Sequence, residues 1–220
     1  FWQHHPGLSY LFSGSFVGVP NTGTITIPIV GGSNQFNLIG NPYPSAVSAN
    51  LFLSNPLNIP VIGGTIYFWT HNTPITGNNY STNDYAVYNA TGGVGAAPPD
   101  LDPNTGLPYP GQALSGGKIP TGKIAAGQGF FGSTKGSISG TSIVYDNAMR
   151  VGVGGITANN SQFFKTKNPK AKTNIQLEKH RVWLDLTNVE GAFKQTLIGY
   201  ITDASNEYED RFDGESYDGN

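Results

Sequence analysis

Apolar and polar residues alternate with period two in several short stretches, the spacing of a strand with one buried and one polar face. Thr24-Ile25-Thr26-Ile27-Pro28-Ile29 is one of these. His180–Thr187 is another, with Val182, Leu184 and Leu186 on one face and Trp183 and Asp185 on the other. Further strands are predicted over Leu8–Val17, Gln35–Ile39, Thr65–Thr70, Asp84–Asn89, Gly127–Phe131, Ser142–Tyr145 and Gln162–Lys165. Pro20-Asn21-Thr22-Gly23 has turn composition and would join Leu8–Val17 to Thr24–Ile29 as a hairpin. Gln195–Thr202 is expected to pair antiparallel with His180–Thr187 across Glu190-Gly191. Pro28 offers no N–H to a ladder, so its strand belongs at an edge or at its own end.

Gly40-Asn41-Pro42-Tyr43-Pro44-Ser45 interrupts this run of strands. Each proline fixes its own φ and drives the residue before it out of the α region, which makes the stretch a stiff corner. Ser45 is expected to cap a short helix within Ala46–Leu53, and Tyr43 to wedge into the core. Many short strands, turn signals between them and almost no helical periodicity predict an all-β fold. The architecture expected is an antiparallel β-sandwich or jelly roll with long Gly/Pro-rich loops and one short helix. Residues 1–220 read as a single module, with a possible subdomain divide in the aperiodic stretch 92–120. After Tyr208 the chain turns acidic and closes no strand, the expectation for a fragment of a longer protein.

Composition changes this picture in two ways. Only 12% of residues are charged, about half the usual share, while 12% are aromatic, enough for a sizeable core. With no cysteine, that core has no disulfide to help it, and thiolate metal sites are excluded. The net charge of −2 is distributed unevenly: all twelve Lys and Arg lie between Lys118 and Arg211. Such a surface is unsuited to nucleic acid. No stretch is long and apolar enough for a membrane-spanning helix.

Chemical motifs are sparse. Gly127-Gln128-Gly129-Phe130-Phe131-Gly132 matches a dinucleotide fingerprint, but two phenylalanines fill its middle and no helix follows; it reads as a strand with close-packed glycines. Gly117–Ile124 approaches a phosphate loop but ends in Ile124 in place of a hydroxyl residue. Asp100, Asp102 and Asn104 place oxygen side chains at alternate positions, as calcium loops begin, though Gly106 comes one position late and Gly111 replaces the bidentate glutamate. An Asx-rich turn is the competing reading. Asp210, Asp213, Glu215 and Asp218 form a second oxygen cluster, read as a solvated acidic loop. Four scattered histidines make no zinc pair. Tyr67, Trp69, Tyr85 and Trp183 are candidates for contact with a glycan or a partner protein, against the alternative of core packing.

Taken in order, Gly40-Asn41-Pro42-Tyr43-Pro44-Ser45-Ala46, Ile66–Thr70, Asp84–Asn89, Gly127–Phe131, Asn147–Arg150, Trp183–Asn188 and Leu197–Tyr200 resemble a module of large secreted and cell-surface proteins of Bacteroidota, especially flavobacteria. The resemblance spans nearly the whole chain. It implies export through the type IX secretion system and an adhesin-like or surface-structural role outside the cell. It brings no catalytic residues with it.

The expectation is therefore a non-catalytic extracellular module without an obligatory cofactor. Its partners would be surface or secretion-machinery proteins, or glycans, with no nucleic acid and no membrane span. Two alternatives remain open: a carbohydrate-binding or carbohydrate-processing module, possibly calcium-dependent, and an assembly subunit bound to its export machinery.

Overall fold

The computed structural model describes residues 17–32, 35–70, 72, 84–99, 101–107, 118–136, 142–151, 179–188 and 193–216. The strands, in chain order, are β1 (Ile25–Pro28), β2 (Phe36–Gly40), β3 (Val47–Ser48), β4 (Ile62–Trp69), β5 (Tyr85–Tyr88) and β6 (Gly93–Val94). They are followed by β7 (Lys123–Ile124), β8 (Gly129–Thr134), β9 (Ser142–Tyr145), β10 (Lys179–Thr187) and β11 (Phe193–Ile201). One α-helix, α1 (Ala49–Leu53), and a 3-10 turn at Asn147–Met149 complete the described elements.

A five-stranded antiparallel sheet runs β2-β8-β4-β5-β6. The early strands meet late partners in nested order: β1 pairs with β9, β2 with β8 and β3 with β7. The hairpin expected between Leu8–Val17 and Thr24–Ile29 falls largely outside the described residues, and the ladder that is described for Thr24–Ile29 is a different one. That strand is held by Ser142–Tyr145, with Ile25 opposite Tyr145 and Pro28 opposite Ser142 at the end of the ladder. The expected segments at 8–16 and 162–165 lie outside the described residues.

Alternation sorts the large sheet into two faces. Ile39, Phe130, Ile66, Phe68, Ala86 and Tyr88 point into the core. From the other side come Ile143 and Tyr145 of β9, Val47 of β3, Ile124 of β7, and Phe52 and Leu53 of α1. Ile25 and Ile27 pack against the cluster from β1. Phe52 stacks on Tyr145 at 4.9 Å and meets Phe130 edge-on at 5.6 Å, so the helix is the keystone between the layers. Each such ring buried contributes roughly 2–3 kcal/mol from area alone. The result is a sandwich-like all-β fold, as the alternation predicted. One buried cluster contains residues from both sides of the 92–120 stretch, such as Tyr88 and Ile124, and Ala96 from within it.

The corner at 40–45 is built as its prolines require, and Asn41 secures it. Its side-chain amide donates to the carbonyls of Ser45, Ile124 and Ala125, while its Oδ1 accepts from the Tyr43 amide. Tyr43 is 2% exposed, and its hydroxyl donates to the Gly23 carbonyl at 2.5 Å. The helix cap is Ser48, which accepts from the Leu51 amide, and not Ser45. Ser45 accepts a hydrogen bond from Arg150 Nε because Val47 and Ser48 are first drawn into the β3–β7 pair. The glycines of the dinucleotide-like motif lie in a turn and in β8. A Cβ on Gly132 would come within 2.5 Å of Ile62 Cδ1, so close packing explains that glycine.

Candidate functional site

The outer face of the five-stranded sheet carries Leu38, Phe131, Tyr67, Val87, Trp69 and Tyr85. Two features pack onto the sheet, one across this face and one against residues 90–95 at the β6 edge. The first is a strap, residues 207–216, which follows β11. The second is the β10–β11 hairpin, whose nine register pairs run from Lys179–Ile201 to Thr187–Phe193.

The strap is held through its backbone. Phe212 O accepts from Asn89 Nδ2 (2.9 Å) and Thr91 Oγ1 (2.6 Å). Arg211 O accepts from the Ala90 amide, and Glu215 O from the Tyr67 hydroxyl. A Cβ on Gly64 would stand 2.1 Å from Asp210 O and 2.7 Å from Arg211 Cα, so the floor of the groove has to be glycine. Lys135 makes an ion pair with Asp210 at the rim.

The hairpin turns one face inward. Trp183 Nε1 donates to Gly93 O at 3.0 Å, and Gln195 Oε1 accepts from the Gly95 amide at 2.8 Å. Lys179 Nζ donates to Ala90 O, and Arg181 Nη1 to Thr91 O. The Arg181 guanidinium also lies 5.5 Å over the Trp183 ring. Lys179 is held below the usual lysine range, first by desolvation and then by the nearby cations Arg181 and Arg211. The opposite face of the hairpin carries Val182, Leu184 and Leu186 from β10 beside Ile198 and Tyr200 from β11, all exposed. Leu186 and Tyr200 are each 72% exposed. The apolar row of the alternation therefore faces outward, because the hairpin docks through its aromatic, cationic and amide side chains.

The four aromatic candidates are not assembled into one row. Tyr67 is 6% exposed and roofed by the strap, and Trp183 is turned inward on Gly93. Trp69 and Tyr85 sit opposite each other on β4 and β5, with Trp69 48% exposed. The rings around them meet edge-to-face, Phe36 with Tyr67 at 68° and Tyr85 with Phe131 at 74°. That geometry satisfies the rings mutually instead of offering one flat stacking surface.

Of the calcium candidates, Asp100 lies outside the described residues. Asp102 Oδ1 accepts from the Asn104 amide at 2.8 Å and Asp102 O from the Gly106 amide, the bonds of an Asx turn. Among the described residues no group of three or more His, Asp or Glu is gathered as a metal site would need. Within the acidic tail, Asp213 accepts from the Glu209 amide, and Asp210, Asp213 and Glu215 surround Tyr208, whose phenol is raised first by burial and then by these carboxylates. Asp218 lies outside the described residues. No described helix is long and apolar enough to cross a membrane. Sequence reasoning missed the strap groove, whose partners are Gly64, Tyr67, Asn89 and Thr91; backbone recognition leaves no motif.

Fold and surface together define a sandwich-like β-module with a docked hairpin and a backbone-bound strap. The chain belongs to the family described as Domain of unknown function (DUF8693), whose model matches residues 3–220. No curated protein and no solved structure matches it.

Proposed function

We propose that this chain is a non-catalytic module of a secreted or cell-surface bacterial protein, working by contact in surface structure or attachment. The observation that carries this reading is the hairpin. Its inner face is fixed to the sandwich by Trp183, Gln195, Lys179 and Arg181, while its outer face holds Val182, Leu184, Leu186, Ile198 and Tyr200 in solvent. A rigid, solvent-facing apolar row is the usual core of a protein contact. The low charge of the chain fits a surface that makes contact through polar and aromatic groups. The partner on this reading is another protein of the bacterial surface or its export machinery.

The test is attachment by bacteria displaying the parent protein, with the outer face intact or changed to Val182→Ser, Leu184→Ser and Ile198→Ser. Several-fold weaker attachment with unchanged display supports the reading, and unchanged attachment refutes it. A glycan-binding reading is favoured by one observation, the adjacent Trp69 and Tyr85 side chains. It requires attachment to fall with Trp69→Ala and to be competed by soluble polysaccharide.

A further inference from the structure

We infer that the strap is exchangeable between copies: residues 207–216 of one chain dock in the Gly64–Thr65–Asn89 groove of a second copy, and the reverse, giving a two-fold dimer. This stands whether or not the contact role proposed above holds. Three observations carry it.

Recognition of the strap is chiefly by main chain, with side-chain contacts from Lys135 to Asp210 and from Lys194 to Ser216. The carbonyls of Arg211, Phe212 and Glu215 are the accepting groups, and Asn89, Ala90, Thr91 and Tyr67 supply the donors. Arg211, Asp213 and Glu215 have their side chains exposed. The same bonds form unchanged when the strap comes from another copy, as in strand addition to a groove.

The groove is also closed to a side chain at two points. Gly64 leaves no space beneath Asp210 and Arg211, and a Cβ on Gly214 would approach Asn89 Nδ2 at 2.9 Å and Thr65 Oγ1 at 3.0 Å. A segment seated there is favoured by glycine at the position of Gly214, which this chain's strap supplies from the same copy or from another.

The link is strained in the closed form. Asp203, in the turn that sends β11 into the strap, has φ 73°, the one positive-φ non-glycine residue among those described. Extending this turn removes the left-handed conformation and carries the strap away from its own groove. Exchange costs no interface contact and relieves a strained hinge, the condition under which segments swap.

The absence of native cysteine makes the test clean. Lys135→Cys and Asp210→Cys, at the rim ion pair, are made separately in the full chain, mixed, unfolded, refolded at high concentration and linked with a short bis-maleimide. Exchange predicts a covalent heterodimer at least several-fold more abundant than the homodimer of either variant alone. The chain carrying both cysteines must close on itself at high dilution, which checks the placement. Internal closure there with no excess of heterodimer in the mixture overturns exchange, and failure to close internally overturns the docked strap itself. Asp203→Val should raise the heterodimer yield and Asp203→Gly should lower it, since glycine accepts the closed turn; equal yields would remove the hinge from the account.

Discussion

The side chain of Asn58 pairs with the backbone of Val144 as a strand would. Its Nδ2 donates to Val144 O at 2.9 Å, and its Oδ1 accepts from the Val144 amide at 2.8 Å. The same Nδ2 also donates to Phe52 O at 3.0 Å, tying α1 to β9. Asn58 is fully buried. One carboxamide thus closes the edge of β9 that β1 leaves open.

Asn58→Ala leaves a buried amide and two carbonyls without these partners. A loss of about 3 kcal/mol is expected, read as a lower urea midpoint with an unchanged slope. Asn58→Asp should be no better, since a carboxylate cannot donate to either carbonyl and is costly to bury.

Gly64→Ala should unseat the strap without dissolving the core. The added methyl meets backbone atoms, Asp210 O and Arg211 Cα, which cannot rotate away. Amide exchange at Ala90, whose N–H bonds Arg211 O, should accelerate by at least tenfold. Protection in β4 and β8 should persist.

Alkaline pH should destabilise the fold through buried phenols. Burial raises Tyr145 far above its ordinary 10.0, with Tyr43 adding to the effect, and burial likewise raises Tyr88. In the unfolded chain these phenols ionise near pH 10 while the folded chain keeps its protons. Their contribution is therefore complete below about pH 10 and is lost progressively above it. Urea midpoints at pH 8 to 11 measure this. Tyr145→Phe should flatten the decline. It should also stabilise the protein by about 1 kcal/mol at neutral pH, because the Tyr145 hydroxyl is buried with no hydrogen-bond partner.

The two faces of the hairpin should respond oppositely to truncation. Leu184→Ser, on the exposed face, should change stability by no more than about 0.5 kcal/mol. Trp183→Ala loses the bond to Gly93 O and its covering of the sandwich, and should cost about 2 kcal/mol. Thermal melts of the two variants make the comparison.

How much of this was legible in the sequence depends on whether a local rule governed each element. The corner followed from its prolines, and the burial of Tyr43 from its place between them. Period two placed β1 and β10, and short apolar or aromatic runs between turn signals placed β2, β4, β5, β8, β9 and β11. Ser45 gave way to Ser48 as the cap because a two-residue pairing with β7 takes precedence over the cap preference. The pairing of β1 with β9 left no trace in the sequence because alternation specifies a face and not a neighbour. The outward turn of Leu184 was hidden because the hairpin docks by specific polar bonds at Trp183 and Gln195. The strap looked like a loose acidic tail, and most of its side chains are exposed; what binds is chiefly the backbone, which every sequence shares.

The nested pairing has a consequence for how the chain comes to be folded. The partners of β1, β2 and β3 arrive roughly 120, 95 and 75 residues later, as the registers Ile25–Tyr145, Phe36–Ser133 and Val47–Ile124 show. Among the described residues, none of these three strands pairs with a strand of its own neighbourhood. In a chain emerging from its N-terminus these three ladders wait for β7, β8 and β9, while the local β4–β5 and β5–β6 pairs need no such delay. Loop-closure entropy makes such folding slow, and the same delay keeps the emerging chain threadable for most of its length.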